Sequence, residues 1–93
     1  MFYTYVLKSL KNASLYTGYT NDLKKRIKEH NDGESGFTKK YLPYELIYYE
    51  ACLNQSDAKA REIQLKTGLG KRYLKARLKR FLKTVNLNGM DPV

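Results

Sequence analysis

Cysteine occurs once in the 93 residues, as Cys52, and tryptophan not at all. A single thiol forbids an intramolecular disulfide and excludes a cysteine-built zinc site, which fits a reducing compartment. No stretch approaches the roughly 20 consecutive apolar residues of a membrane span. The N-terminus Met-Phe-Tyr-Thr-Tyr-Val-Leu-Lys-Ser alternates like a strand and lacks the apolar centre of a signal peptide. The expectation is a soluble, cytoplasmic protein. Acidic residues are scarce too: nine Asp and Glu stand against eighteen Lys and Arg, a net charge of +9. Such a field draws polyanions, so nucleic acid is the first partner to consider, ahead of an anionic membrane surface. Also missing are a glycine-rich phosphate loop, a pair of histidines at zinc spacing and a Ser-His-Asp set, which removes many enzyme classes.

What is present is ordered. Residues 2–8 are dense in aromatic and β-branched side chains, as is the run Leu15 to Thr20, with a short polar connection between them. Together they read as an antiparallel hairpin. Gly18, inside the second strand, leaves a gap in side-chain packing where another group can come close. Thr20-Asn21-Asp22 supplies capping oxygens for a helix in which Leu23 and Ile27 form an apolar stripe. Arg26 and His30 stand one position from that stripe, near the protein-facing side.

The turn formers of residues 31–36 end this helix, and a basic loop follows over residues 37–43, with Thr38-Lys39-Lys40 at its centre. A third strand spans Tyr44 to Cys52. Asn54 to Asp57 caps a second helix that runs to Lys66, and a last amphipathic helix carries Leu74, Leu78, Phe81 and Leu82 on one side. The expected fold is α/β: a three-stranded, mostly antiparallel sheet flanked by three helices in the order β-β-α-β-α-α. At this length one domain is expected, over residues 1–83, with residues 84–93 a fraying tail.

Five polar residues occupy informative positions on these elements: Tyr5, Tyr16, Arg26, His30 and Glu62. Tyr3-Thr4-Tyr5 ends a motif on the first strand, Tyr16-Thr17-Gly18 forms one on the second, and Arg26 follows on the helix. His30 stands one turn later, then Pro43 and Leu46, then Ala58 to Glu62 on the next helix. In this order and spacing the chain resembles the GIY-YIG nuclease superfamily over nearly all of residues 2–82. In size and in its Lys-Thr-Gly-Leu-Gly-Lys segment it looks like the small stand-alone members similar to the N-terminal nuclease domain of the excinuclease ABC C-protein. The first motif reads Tyr-Thr-Tyr in place of Gly-Ile-Tyr, and Tyr19 stands where some members carry a lysine.

The resemblance implies a metal-dependent endonuclease acting on DNA phosphodiester bonds, structure-selective or weakly sequence-specific, in repair or recombination. Glu62 is then the metal ligand, since Mg²⁺, or Mn²⁺ in its place, favours hard carboxylate oxygen and retains several waters. Arg26 offers a fixed fork of donors for the scissile phosphate. Tyr5 and Tyr16 are implied to activate or position the nucleophilic water, with no division of labour between them legible. His30, with a reference pKa of about 6.5, is a candidate proton relay or phosphate contact. Lys39 and Lys40 fit attraction of the nucleic-acid backbone. Two rival readings keep the fold without the chemistry: a nucleic-acid-binding module lacking turnover, and an interaction component of a larger nuclease with a protein partner supplying specificity.

Overall fold

The computed structural model describes residues 1–36 and 38–88, with side chains described through residue 83. The elements follow in the order β1 (Phe2–Ser9), β2 (Leu15–Thr20), α1 (Leu23–Asn31), a 3-10 turn (Lys39–Tyr41), β3 (Tyr44–Cys52), α2 (Gln55–Lys66), α3 (Gly68–Arg77) and α4 (Lys79–Asn88). The three strands form one sheet in the order β2-β1-β3, and β1 is antiparallel to both neighbours. The expected α/β order is therefore present, except that four helices occupy the region assigned to three, the last expected helix being divided at Leu78. Neither glycine nor proline stands between Arg77 and Lys79, so no sequence signal marks that break. Within residues 37–43, Lys39–Tyr41 form the 3-10 turn and the Leu42–Pro43 bond is cis, while Phe37 lies outside the described residues. Of the expected tail, residues 84–88 belong to α4 and residues 89–93 lie outside the described ones.

The chain divides into two compact units, residues 1–63 and 64–93. In the first, strand alternation sorts β1 onto two faces. Tyr5 and Leu7 point to one face, where they pack with Tyr44 and are joined by Tyr16, Leu23, Ile27, Leu42 and Leu46. Leu23 and Ile27 bring the apolar stripe of α1 onto this face. On the other face Thr4 and Val6 are buried, and the Thr4 hydroxyl donates to the carbonyl oxygen of Ala58 on α2 at 2.9 Å. Complete burial of a Leu-sized side chain stabilises a fold by roughly 1.5–3 kcal/mol, so the central strand carries much of the cohesion of this unit.

Side-chain caps fix the helix starts. The Asp22 carboxylate accepts from the Lys25 backbone N–H at 3.2 Å, and the Asn54 side-chain oxygen accepts from the N–H of Ser56 at 2.8 Å and of Asp57 at 3.3 Å. The end of α1 is tied to the start of β3 by Asn31. Its amide oxygen accepts from the Tyr44 N–H at 2.7 Å and its amide nitrogen donates to the Tyr44 carbonyl at 3.1 Å. A bidentate pair secures α2: the Arg61 Nε donates to the Glu50 carboxylate at 3.0 and 3.1 Å, and a terminal guanidinium nitrogen donates at 2.9 Å.

In the second unit the Thr67 hydroxyl caps α3 by accepting from the Gly70 N–H at 3.1 Å. A methyl group at Gly70 would fall 2.1 Å from the Gln64 carbonyl oxygen and 2.4 Å from the Leu65 Cα. Both obstacles are backbone, so no side-chain rotation relieves them. Gly70→Ala is expected to destabilise the protein by at least roughly 1–3 kcal/mol, the range of overpacked cores, as read from the midpoint of a urea unfolding curve.

Candidate active site

The sheet register sets the first feature of the site. Tyr5 on the central strand lies directly opposite Gly18 on β2, and Leu7 lies opposite Tyr16. The bare Cα of Gly18 lets the Tyr5 ring cross over the edge strand. A Cβ built there would sit 2.6 Å from the Tyr5 hydroxyl and 2.8 Å from its Cζ. The gap expected from the sequence at Gly18 is thus filled by Tyr5 itself.

The crossing delivers the phenol to α1. Tyr5 Oη is 2.8 Å from Nε2 of His30, and Nδ1 of His30 is 2.8 Å from the Thr38 hydroxyl. His30 is 0% exposed and Tyr5 1%, so this chain of contacts runs beneath the surface. The Tyr16 ring closes over it, with its centroid 5.0 Å from that of His30 and 6.4 Å from that of Tyr5. Arg26, one turn before His30, pairs with Glu29 at 3.1 Å and keeps a third of its side chain, 33%, open to solvent.

The cluster's charges follow from this arrangement. Burial pushes the Tyr5 phenol up to about 12, against the pull of the hydrogen-bonding Arg26 guanidinium, while Tyr16 and Glu62 push in the same direction as burial. Burial likewise depresses the His30 imidazole to about 4, helped by the positive charge of Arg26. For Arg26 itself, desolvation opposes the charged form, but hydrogen bonds with Glu29 and Tyr5 outweigh it and hold the guanidinium above its ordinary range. At neutral pH the centre therefore contains an uncharged phenol and an uncharged imidazole beside a fixed cation.

Tyr5, Tyr16, Arg26 and His30 come together here, and the negative charge of Glu62, half-buried on α2, is felt at Tyr5. The neighbouring Arg61 is engaged by Glu50. His30 is enclosed with both ring nitrogens hydrogen bonded, a setting that leaves no edge for a phosphate. Lys39 and Lys40 are exposed on the 3-10 turn, and Lys11 from the β1–β2 turn reaches the Lys40 carbonyl at 3.4 Å, extending that basic patch. Thr38 escaped sequence reasoning: it looked like a loop residue among lysines, and nothing local points it at a histidine eight positions earlier. Of the other strand tyrosines, Tyr44 is core, Tyr3 and Tyr49 stack edge to face with centroids 5.9 Å apart, Tyr48 donates to Glu50, and Tyr19 lies beneath the Lys59 ammonium.

Among the described residues no group of three or more His, Cys, Asp or Glu side chains gathers to hold an ion. Besides Glu29, which is paired with Arg26, the cluster offers the carboxylate of Glu62 together with phenolic oxygens. Such a set of hard oxygen donors suits Mg²⁺, which retains much of its water, better than it suits zinc. Also among the described residues, no helix is long and apolar enough to cross a membrane.

An antiparallel hairpin presenting two tyrosines to a helix arginine, with a carboxylate from the helix after the third strand, defines a small α/β domain of the GIY-YIG class. The family model described as the GIY-YIG catalytic domain matches residues 1–83, and the chain belongs to that family. Similar proteins include a UPF0213 protein of Clostridium perfringens, 46% identical over 67 residues that cover 71% of each chain. A UPF0213 protein of Staphylococcus saprophyticus is 42% identical over 74 residues, covering 78% of this chain and 89% of its own. The solution NMR structure of a UPF0213 protein from Bacillus halodurans matches with a TM-score of 0.51 and 32% identity, covering 94% of this chain and 97% of that one.

The buried histidine makes stability depend on pH with a definite sign. Between about pH 6.5 and about pH 4 the unfolded chain takes up a proton that the folded chain refuses, so stability falls as pH is lowered through that window. The full effect is on the order of 3 kcal/mol and is absent above the unfolded value. Urea unfolding at about pH 7.5 and about pH 4 should show wild type losing more stability than His30→Gln by that order.

Proposed function

We propose that the protein is a divalent-metal-dependent endonuclease that hydrolyses DNA phosphodiester bonds with structure selectivity or weak sequence specificity, in repair or recombination. The observation that carries this reading is the packing of Tyr5, Tyr16, His30 and Arg26 into one cluster that senses the Glu62 carboxylate. Membership of the GIY-YIG catalytic domain family supports it.

Hydrolysis of a phosphodiester requires an oriented water, a proton acceptor for it, and positive charge opposite the phosphate. Arg26 supplies a permanent guanidinium with an exposed portion, suited to hold two phosphate oxygens at once. Glu62 is the residue to hold Mg²⁺ or Mn²⁺, which when bound supplies further positive charge opposite the phosphate. The tyrosines divide according to burial. Tyr5, enclosed and held to its proton, orients; Tyr16, half-buried over the His30 ring, takes the proton from water, a division that their different burial supports. His30 acts on Tyr5 and not on substrate. Lys11, Lys39 and Lys40 attract the backbone at a distance from the chemistry, and a protein partner is the source of any long-sequence specificity.

The test is cleavage of supercoiled plasmid and branched DNA in Mg²⁺ or Mn²⁺. Glu62→Gln and Tyr16→Phe are each expected to lower cleavage by roughly 10²-fold or more while DNA is still bound. Undiminished cleavage in both variants rejects the mechanism, and wild-type binding without cleavage favours the non-catalytic binding module. Replacing Lys39 and Lys40 together by Ala should flatten the salt dependence of binding, by about 0.9 in log–log slope for each phosphate that is no longer neutralised.

A further inference from the structure

The hydrogen bonds beneath the cluster take their direction from Thr38. Its hydroxyl donates to the Ser35 carbonyl at 3.5 Å, a long contact but one with an acceptor that has no proton to return. The Thr38 oxygen is then left to accept from Nδ1 of His30 at 2.8 Å. A neutral imidazole with its proton on Nδ1 has a bare Nε2, which accepts from the Tyr5 hydroxyl at 2.8 Å. The positive charge of Arg26, felt at Tyr5, favours the same order, because a guanidinium has nothing that accepts and turns the phenol proton away from itself.

We propose that Thr38 is a positioning residue for the hydrolysis proposed above: by accepting from Nδ1 it fixes the His30 tautomer and holds the Tyr5 proton inward. Tyr5 then offers the active site a lone pair and no proton. Enclosed and with its proton committed to His30, it cannot protonate a leaving oxygen, which assigns it to orientation and leaves proton exchange to Tyr16. This deepens the nuclease reading and rests on it. Thr38 also immediately precedes the 3-10 turn that carries Lys39 and Lys40, so the basic segment and the buried phenol are joined through two hydrogen-bonded side chains.

The tautomer can be read without DNA, metal or turnover, because His30 is the sole histidine and gives a single imidazole pattern in long-range ¹H–¹⁵N spectra. Wild type and Thr38→Ser are expected to show a protonated Nδ1 and a bare Nε2. Thr38→Val, close in volume but without the hydroxyl, is expected to shift toward protonated Nε2. In cleavage assays Thr38→Val should lower kcat roughly ten- to a hundred-fold, the scale of a misplaced catalytic group, with KM little changed. Thr38→Ser should restore most of the rate. A wild-type spectrum with protonated Nε2 overturns the proposal even if Thr38→Val does not fold, as does a folded Thr38→Val that keeps the wild-type tautomer and rate. A wild type with the expected tautomer that cleaves nothing overturns the nuclease reading and, with it, the catalytic role given to Thr38.

Discussion

The interaction on which the rest of this structure turns is the buried hydrogen bond between the Tyr5 phenol and His30. It joins the central strand to the first helix across the core, at 2.8 Å and with both residues shut off from solvent. A polar pair in such a place is costly unless each member is satisfied, since an unmet donor or acceptor forfeits its hydration without return. Here the phenol has His30, and the imidazole has Tyr5 and Thr38. Among the described residues no buried side-chain polar atom is left without a partner. The same satisfaction that makes the network tolerable gives it a unique geometry, because moving any one member strands its neighbour.

This explains why the two tyrosines differ although both are strand residues of one hairpin. Burial dominates at Tyr5 and outweighs the nearby guanidinium, so its proton stays on. The Tyr16 ring packs over the His30 imidazole. Glu62 arrives from a different part of the chain, on a helix clamped to the sheet by the neighbouring Arg61–Glu50 pair. Arg26 and the two phenols thus come from the first 30 residues, and the carboxylate comes from the element after β3. A rigid local cluster and a separately anchored acid make up the site.

Much of this was legible in the sequence. Alternation in β1 and β2, the Asp22 and Asn54 caps and the Leu23/Ile27 stripe are local signals whose physics acts within a few residues, and the structure contains each of them. The placement of Arg26 and His30 beside the stripe followed from helical geometry alone. What could not be read depends on distant contact or on a break without chemical punctuation. Thr38 gains its meaning only when a loop folds back under α1. Asn31 looks like a turn former and instead grips the backbone of Tyr44. The division of the last helix at Leu78 is marked by neither Gly nor Pro. His30 was readable as a residue of interest, but its enclosure, and hence its loss of charge, belongs to the tertiary structure.

Gly18 and Tyr5 belong to different motifs on different strands, yet sterically they are one object. The ring of one occupies the space where the side chain of the other would be. Substitutions at these positions are therefore not independent, since a larger residue at 18 is accommodated only by a smaller one at 5. The dependence runs one way: a side chain at 18 meets the phenol, whereas a smaller residue at 5 meets no obstacle in Gly18. It is therefore the phenol on the central strand that dictates the emptiness of the edge strand beside it, and a position without a side chain becomes as tightly specified as one with a functional group.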